Sequence, residues 1–303
     1  MKSLLIQSSF LLLAAVSAFA QERALVVHGS ALVGQVLRVA EPFLKNELKI
    51  EIRLNTDGGS SHGFAAVGQE AAQLGMMTYK LEAGHRAQFP ASAFDEVQIG
   101  WQVLVMGVAH NVWEGGIHAL TKEQMVKIYE GDIRNWKQLG GPDEAIKYYN
   151  PKLGRGVWEL FAEWLYKRQG TAPKGEKFEM VVRHEDARDS VEFNANSITV
   201  LPPSYTNGKT VHALAIKEPD GSLLEPTTEN LSAGKYPMAR PLMVISGRRF
   251  AGDAKKVVDF LLTPRGQAMV KSQGFVPIAE AADSYQLPDA PKPKETAASE
   301  TPK

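Results

Sequence analysis

Short apolar runs alternate along most of the chain with longer segments in which apolar residues recur at helical spacing. The apolar run at residues 24–28 is followed by a helical stripe from Leu32 to Leu44. The run at residues 50–54 precedes a second stripe that includes Phe64. A short strand followed by an amphipathic helix is typical of a mostly parallel sheet covered by helices. The pattern therefore predicts an α/β fold.

The same periodicity predicts further elements later in the chain. Strands are expected at residues 180–182, 198–201, 211–216 and 242–245, and closing helices at residues 254–262 and 264–271. Thr121 and Gln124 have the spacing of a capping box, and Thr263 followed by Pro264 is typical of a helix start. Pro42 interrupts the first helical stripe, so that helix is expected to be kinked or shortened there.

Three strand-to-helix junctions carry small or polar residues directly before the helix, at residues 29–31, 57–63 and 152–156. The first amides of a helix lack partners within it, and the helix dipole places about half a positive charge there, so such ends bind anions. Three junctions that met in one cleft would form an oxyanion site, to which Arg155 would add a two-pronged charged contact. The alternative is that each junction only caps its helix and turns the chain.

The first residues have the pattern of a secretory signal peptide. Lys2 precedes the apolar run at residues 11–16, and the small residues Ala18 and Ala20 predict cleavage after Ala20. This run is shorter than the roughly 20 residues that span a bilayer, and no later run reaches that length. The sequence contains no cysteine, so it offers neither disulfides nor a lipid-bearing Cys after the cleavage site. A free periplasmic protein is expected.

Charge and composition narrow the function further. The 34 basic and 34 acidic residues balance, which gives no indication of a nucleic-acid-binding surface. The mature chain is long enough for one large or two medium domains of about 100–200 residues each. Residues 283–303 contain few large apolar side chains, so a disordered tail is expected there.

Several segments resemble, in order, the PstS-like phosphate-binding proteins of bacterial ABC transporters. Residues 29–33 resemble that family's first ligand loop and residues 59–63 its second, while residues 120–141, which include YEGDIRNW, give the strongest match. Residues 234–242 and 265–277 extend the resemblance over nearly the whole mature chain. The resemblance implies a two-lobed periplasmic binding protein type II fold with the ligand cleft between its lobes.

The resemblance also implies the domain organisation and the function. Lobe 1 would comprise residues 21–107 and 242–282, and lobe 2 residues 108–241, with crossings near residues 108–111 and 240–245. The implied protein is a monomer without cofactor or metal that captures an inorganic oxyanion, phosphate above others, and delivers it to an ABC transporter permease. The expected ligand-binding residues are Ser30, Ala31, Gly59, Ser60, Ser61, Thr78, Arg155 and Gly156, with Asp57 and His62 as two further candidates.

Four residues depart from the family pattern. Leu32 stands where the family usually has a hydroxyl residue, Pro151 falls near the place of its arginine, and Val157 replaces its threonine. Thr78 stands where classical members use an aspartate that accepts a proton from the ligand, which helps to separate hydrogen phosphate from sulfate. Because a hydroxyl can donate to either anion, weaker discrimination between the two is expected.

Other functions have weaker sequence signals. The seven histidines are scattered without a zinc-protease motif, the acidic run near His184 is typical of a solvated face, and Gln35 stands where a nucleotide-binding loop has lysine. An enzyme is therefore not expected. The alternative that stays open is a periplasmic interaction or sensor protein on the same fold with weak or lost phosphate binding.

Overall fold

The computed structural model of the protein describes residues 24–152, 156–167 and 178–278. The predicted signal peptide at residues 1–20 and the predicted disordered tail at residues 283–303 lie outside these ranges. In the part of the chain that is described, no helix combines the length and the hydropathy of a membrane-spanning segment.

The described residues form two β-sheets with helices packed against them, which confirms the predicted α/β fold. The strands are β1 (Leu25–Gly29), β2 (Ile52–Asn55), β3 (Leu74–Met77), β4 (Asp95–Val103), β5 (Val105–Ala109), β6 (Ala119–Thr121), β7 (Lys147–Pro151), β8 (Phe178–Val181), β9 (Ser197–Leu201), β10 (Val211–Lys217), β11 (Leu223–Leu224) and β12 (Ala239–Ser246). The α-helices are α1 (Ala31–Asn46), α2 (Gly59–Gly68), α3 (Ala83–Arg86), α4 (His110–Glu114), α5 (Lys122–Glu130), α6 (Gly156–Tyr166), α7 (His184–Phe193), α8 (Thr228–Ser232), α9 (Gly252–Leu261) and α10 (Pro264–Ser272).

Lobe 1 is built on a sheet with the strand order β2-β1-β3-β12-β4. Strand β1 is parallel to β2 and β3, whereas β12 is antiparallel to β3 and β4. Helices α1, α9 and α10 pack on one face around Val27, Leu37 and Met76, and α2 packs on the other face through Phe64. Since β1, β2 and β3 are parallel, their carboxyl ends lie at one edge of the sheet, which is where α1 and α2 begin.

Lobe 2 is built on a sheet with the strand order β11-β10-β5-β9-β7-β8, with β6 paired to β10. Strand β7 is parallel to β8 and β9, whereas β5 is antiparallel to β9 and β10. Helices α5 and α6 pack on one face around the fully buried Trp136, Trp158 and Phe161, and α7 contributes Ala187 and Val191 to the separate clusters on the other face. The carboxyl ends of β7 and β8 lead towards α6 and α7.

The chain passes between the two sheets at two adjacent segments. It leaves β4 at Val103 and enters β5 at Val105, so it crosses at Leu104 rather than at residues 108–111, because Val105 and its neighbours already pair with β9. It returns just before Ala239. The Leu104 amide donates to the Met238 carbonyl at 2.9 Å, and the Tyr236 hydroxyl donates to the Leu104 carbonyl at the same distance. These bonds join the two connections into one hinge region.

Two predicted helix starts are confirmed, and one predicted shortening of a helix is not. The Thr121–Gln124 capping box is present, with the Gln124 amide 3.1 Å from the Thr121 Oγ1, and Thr263 caps α10 with Pro264 in its first turn. The expectation that Pro42 shortens the first helix is wrong, because α1 continues to Asn46. Pro42 is exposed, and so is Arg38, whose carbonyl loses its helical partner, so water can solvate that carbonyl, while the buried stripe of α1 holds the helix on the sheet.

Candidate functional site

A cleft of about 630 Å³ lies between the two lobes, at the carboxyl ends of the parallel strands. The starts of α1, α2, α6 and α7 line it, together with residues from β4 and β12. Of the residues predicted to bind the ligand, those that line the cleft are Ser30, Ala31, Gly59, Ser60, Ser61, Thr78 and Gly156. The structure thus brings the three predicted junctions together, and their contact with a ligand stays a prediction.

The first junction is held tightly against β3. The Ser30 amide donates to the Met76 carbonyl at 2.8 Å, and the Ser30 Oγ accepts from the Leu32 amide at 3.3 Å. Gly29 has a φ of +134°, and a Cβ at this position would lie 2.2 Å from the Met76 carbonyl oxygen. Glycine is required there because of this close approach. The contacts place the N-terminus of α1, with its unpaired amides, at the cleft.

The second junction joins the start of α2 to the end of β3. The Thr78 amide donates to the Ser60 Oγ at 3.1 Å, and the two hydroxyl oxygens are 3.2 Å apart. Gly58 and Gly59 have φ values of +73° and +62°, which allow the sharp turn into the helix. Ser61 is exposed beside them. Two adjacent hydroxyls and the first amides of α2 can therefore donate to a single anion.

Asp57 and His62 are not among the residues that line the cleft. The His62 Nδ1 lies 2.7 Å from the Asp57 carbonyl oxygen, so the imidazole is held against its own loop. Its ring packs edge-on against His28, with 5.1 Å between the ring centroids. Burial, and to a smaller extent the nearby His62, lowers the pKa of His28. The geometry gives the two candidates a role in holding the second junction rather than in facing the cleft.

Of the third junction, Lys152 and Gly156 lie in the described ranges. Gly156 begins α6 and lines the cleft together with Val157 and Glu159. Behind them the apolar stripe of α6 anchors the helix in the core of lobe 2, where Trp158 has no exposed surface. Arg155 lies outside the described residues, so its contact with an anion stays a prediction.

Arg240 is a cleft residue that the sequence pattern assigned only to a chain crossing. Its Nε donates to the Gln102 Oε1 at 2.6 Å, and its Nη2 donates to the Gly156 carbonyl at 3.3 Å. Because Gln102 belongs to lobe 1 and Gly156 to lobe 2, this side chain connects the lobes at the base of the cleft. Burial lowers the pKa of Arg240, and the nearby Glu163 and Glu159 act in the opposite direction. Its remaining donors can bind an anion.

Other charged side chains at the cleft differ from Arg240 in their surroundings. Arg183, which precedes α7, forms an ion pair with Asp186, with 2.6 Å between Nη2 and Oδ1. Arg240 forms no ion pair with any residue in the described ranges. Glu159 adds a carboxylate to the lining. The guanidinium of Arg240 is thus the partly desolvated cation whose charge a bound anion would compensate most directly.

The cleft offers the groups that a tetrahedral oxyanion requires. Helix amides, hydroxyls and a guanidinium are hydrogen-bond donors that converge on one space. Within the described ranges no group of three or more His, Asp or Glu side chains is placed to hold a metal ion. The acidic residues that follow His184 have other partners: Glu185 accepts from the Tyr205 hydroxyl at 3.0 Å, and Asp186 pairs with Arg183.

Two α/β lobes that meet at a donor-lined cleft define a bilobal solute-binding protein. The sequence agrees with this class, since the family described as "PBP superfamily domain" matches residues 17–265. The chain belongs to this family.

Individual relatives and solved structures are similar to most of the chain. The protein named "Phosphate-binding protein PstS" of Bacillus subtilis (strain 168) is 29% identical over 274 residues, which cover 87% of this chain and 85% of that protein. The protein of the same name from Staphylococcus saprophyticus is 25% identical over 259 residues, covering 82% and 78%. The structure of a possible phosphate binding protein from Planctomyces limnophilus has a TM-score of 0.71 at 17% identity, covering 86% and 95%. This last likeness concerns the fold alone.

Proposed function

We propose that this protein is a periplasmic solute-binding protein that captures phosphate or a related oxyanion and delivers it to the membrane permease of an ABC transporter. The observation that carries the proposal is the convergence of the α1, α2 and α6 N-termini with Arg240 in one cleft. The names of the Bacillus and Staphylococcus relatives support phosphate as the oxyanion.

In this proposal the anion lies between the first turns of α1 and α2 on one side and the start of α6 on the other. Ser30, Ser60 and Thr78 donate from lobe 1, and the amides at the helix starts complete that half of the shell. Arg240 supplies the charge at the base of the cleft, and Arg155 adds a second guanidinium from the third junction. These groups donate to the anion, and Glu159 is a carboxylate in the same lining that can accept a hydrogen bond.

Binding is proposed to close the cleft. Contacts from both lobes to one small anion are satisfied together only when the lobes approach, and the chain crosses between the lobes at one hydrogen-bonded hinge region. The two lobes predicted from the sequence are proposed to keep their order, with their boundaries moved to the two connections at Leu104 and just before Ala239. Closure around the ligand gives the permease a shape that distinguishes loaded from empty protein.

The proposal also covers the export of the protein and its protein partner. The leader at residues 1–20 is proposed to be removed after Ala20, and the mature chain acts as a monomer with the permease as its protein partner and no role for nucleic acid. The binding role itself involves no chemical conversion of the ligand, in keeping with a family of solute-binding proteins.

Selectivity among oxyanions is proposed to be modest. A carboxylate at the position of Thr78 would repel a fully deprotonated anion, whereas the Thr78 hydroxyl can donate to phosphate and to sulfate alike. We expect the preference for phosphate over sulfate to stay below about a thousandfold, which corresponds to about 4 kcal/mol.

Isothermal titration of the mature chain, beginning at Gln21, tests the proposal. Phosphate and sulfate are titrated at matched ionic strength, and phosphate at a hundredfold excess over its Kd should raise the free energy of unfolding by about 2.7 kcal/mol. The variant Arg248→Met is the control, because Arg248 is highly exposed and paired with Glu70 outside the cleft. No heat and no stabilisation at millimolar phosphate would instead favour an interaction or sensor protein on this fold.

A further inference from the structure

The cleft has an apolar side as well as a donor-lined side. Leu32 lies in the first turn of α1 and is partly buried, and a Cβ added at Gly156 would lie 3.6 Å from its Cδ2. Leu32 therefore reaches from lobe 1 to the start of α6. Val182 lines the cleft from lobe 2 and keeps 52% of its surface exposed. Two apolar residues, one from each lobe, thus line the same cleft as the donors.

This arrangement is poorly matched to an ion that carries oxygen on every side. Each of the four oxygens of inorganic phosphate requires a hydrogen-bond donor from the protein or from water. The side chains of Leu32 and Val182 have no donor to offer. A site that surrounds its ligand with donors rejects an analogue that lacks one polar group, because the protein group opposite is left unpaired. A site with an apolar side has no such penalty when the ligand presents an alkyl group there.

The open cleft is large enough to admit a ligand larger than an inorganic ion before the lobes close on it. Sites for small organic molecules have volumes of about 300–1,000 Å³, and this cleft has about 630 Å³. A tetrahedral headgroup held by Ser30, Ser60 and Arg240 would leave room for a short substituent directed towards Leu32 and Val182.

We propose that the cleft also binds tetrahedral oxyanions that carry a small apolar substituent, namely short alkylphosphonates, with the headgroup at the donors and the alkyl group between Leu32 and Val182. The inference rests on the proposed function, because the headgroup occupies the site proposed for phosphate. It extends the ligand range of the protein from inorganic ions to organic phosphonates.

Competitive calorimetric titration of the mature protein with inorganic phosphate, methylphosphonate and ethylphosphonate tests the inference. Ethylphosphonate should bind with a Kd within about tenfold of that of phosphate, and it should bind more tightly than methylphosphonate by about fourfold, the effect of one buried methylene. In Leu32→Ser the affinity for ethylphosphonate should fall by about fourfold or more relative to phosphate.

Two further variants keep the test independent of folding effects. Val182→Thr preserves the shape of the side chain and should lower the ethylphosphonate-to-phosphate affinity ratio in the same direction as Leu32→Ser. Leu262→Ser is the matched control, because Leu262 is 40% exposed and is not a lining residue of the cleft, and it should leave the ratio unchanged.

The outcomes separate this inference from the proposed function. Phosphate binding with ethylphosphonate more than a hundredfold weaker would overturn the inference and leave the phosphate role intact. An ethylphosphonate affinity that Leu32→Ser and Val182→Thr change no more than Leu262→Ser would also overturn it. Absence of binding by all three anions would contradict the proposed function and this inference together.

Discussion

The replacement of Arg240 by methionine removes the charge of the guanidinium while keeping much of the length of the side chain. A charge-assisted hydrogen bond contributes about 1.5–3 kcal/mol, so Arg240→Met should weaken phosphate binding by about ten- to a hundredfold. The buried Gln102 Oε1 loses its donor, which costs about 1–3 kcal/mol, and removal of a partly desolvated cation offsets some of this cost. The ligand-free protein should therefore lose at most about 3 kcal/mol of stability.

A series of arginine variants should rank by their loss of phosphate affinity. Phosphate Kd is measured by calorimetry for Arg240→Met, Arg240→Lys, Arg183→Met and Arg248→Met, with chemical denaturation of each ligand-free variant. Arg240→Lys should recover part of the affinity, because a point charge does not reproduce the two-pronged geometry. Arg183→Met should cost less than Arg240→Met because Asp186 already compensates its charge, and Arg248→Met should have no effect.

One pattern would refute the reasoning about charge compensation. If Arg240→Met leaves the phosphate Kd within about twofold of the wild type while Arg183→Met raises it tenfold or more, the anion lies at the start of α7 rather than at the base of the cleft. A loss of stability in Arg240→Met without loss of affinity would make Arg240 a structural connection between the lobes.

Three other changes have defined outcomes. Thr78→Asp places a carboxylate beside the anion and should reduce sulfate affinity by at least tenfold more than phosphate affinity, which paired titrations at one ionic strength would reveal. Gly63→Ala should destabilise the protein by about 1–3 kcal/mol in denaturant unfolding, because the new Cβ would lie 2.6 Å from the His28 carbonyl oxygen; an unchanged midpoint would contradict the close helix–strand packing. Since the folded-state pKa of His28 is lowered, the unfolded chain binds the proton more readily, and stability should fall as the pH drops below about 6.5. His28→Gln should make this decline shallower, and equal slopes in the two proteins would speak against it.

The parts of the site that the sequence predicts are those with a local signal. Ser30, Ser60 and Gly156 each stand between a short apolar run and a helical stripe, and the order of elements is visible in the pattern alone. Parallel strands then bring the junctions to one edge of each sheet, so local patterns are sufficient to assemble most of the lining.

Arg240 shows why the rest could not be predicted in the same way. It lies in strand β12, and its partner Gln102 is 138 positions away in the chain, so only tertiary structure shows that the two meet at the cleft. In the sequence it stands only within the family-like segment at residues 234–242 and at the predicted crossing near residues 240–245. Asp57 and His62 show the opposite case: their position in a ligand-like loop suggested contact, whereas neither lines the cleft and the imidazole is hydrogen-bonded within its own loop.

Crystals of the mature protein grown with saturating arsenate would test the central claim most directly, because arsenate is a tetrahedral oxyanion whose arsenic is located by anomalous diffraction. The account predicts an arsenic peak in the cleft, with arsenate oxygens within about 3.2 Å of the Ser60 hydroxyl, the Arg240 guanidinium and amides at the start of α1. A peak at another place on the protein, or a cleft without one at saturating arsenate, would contradict it.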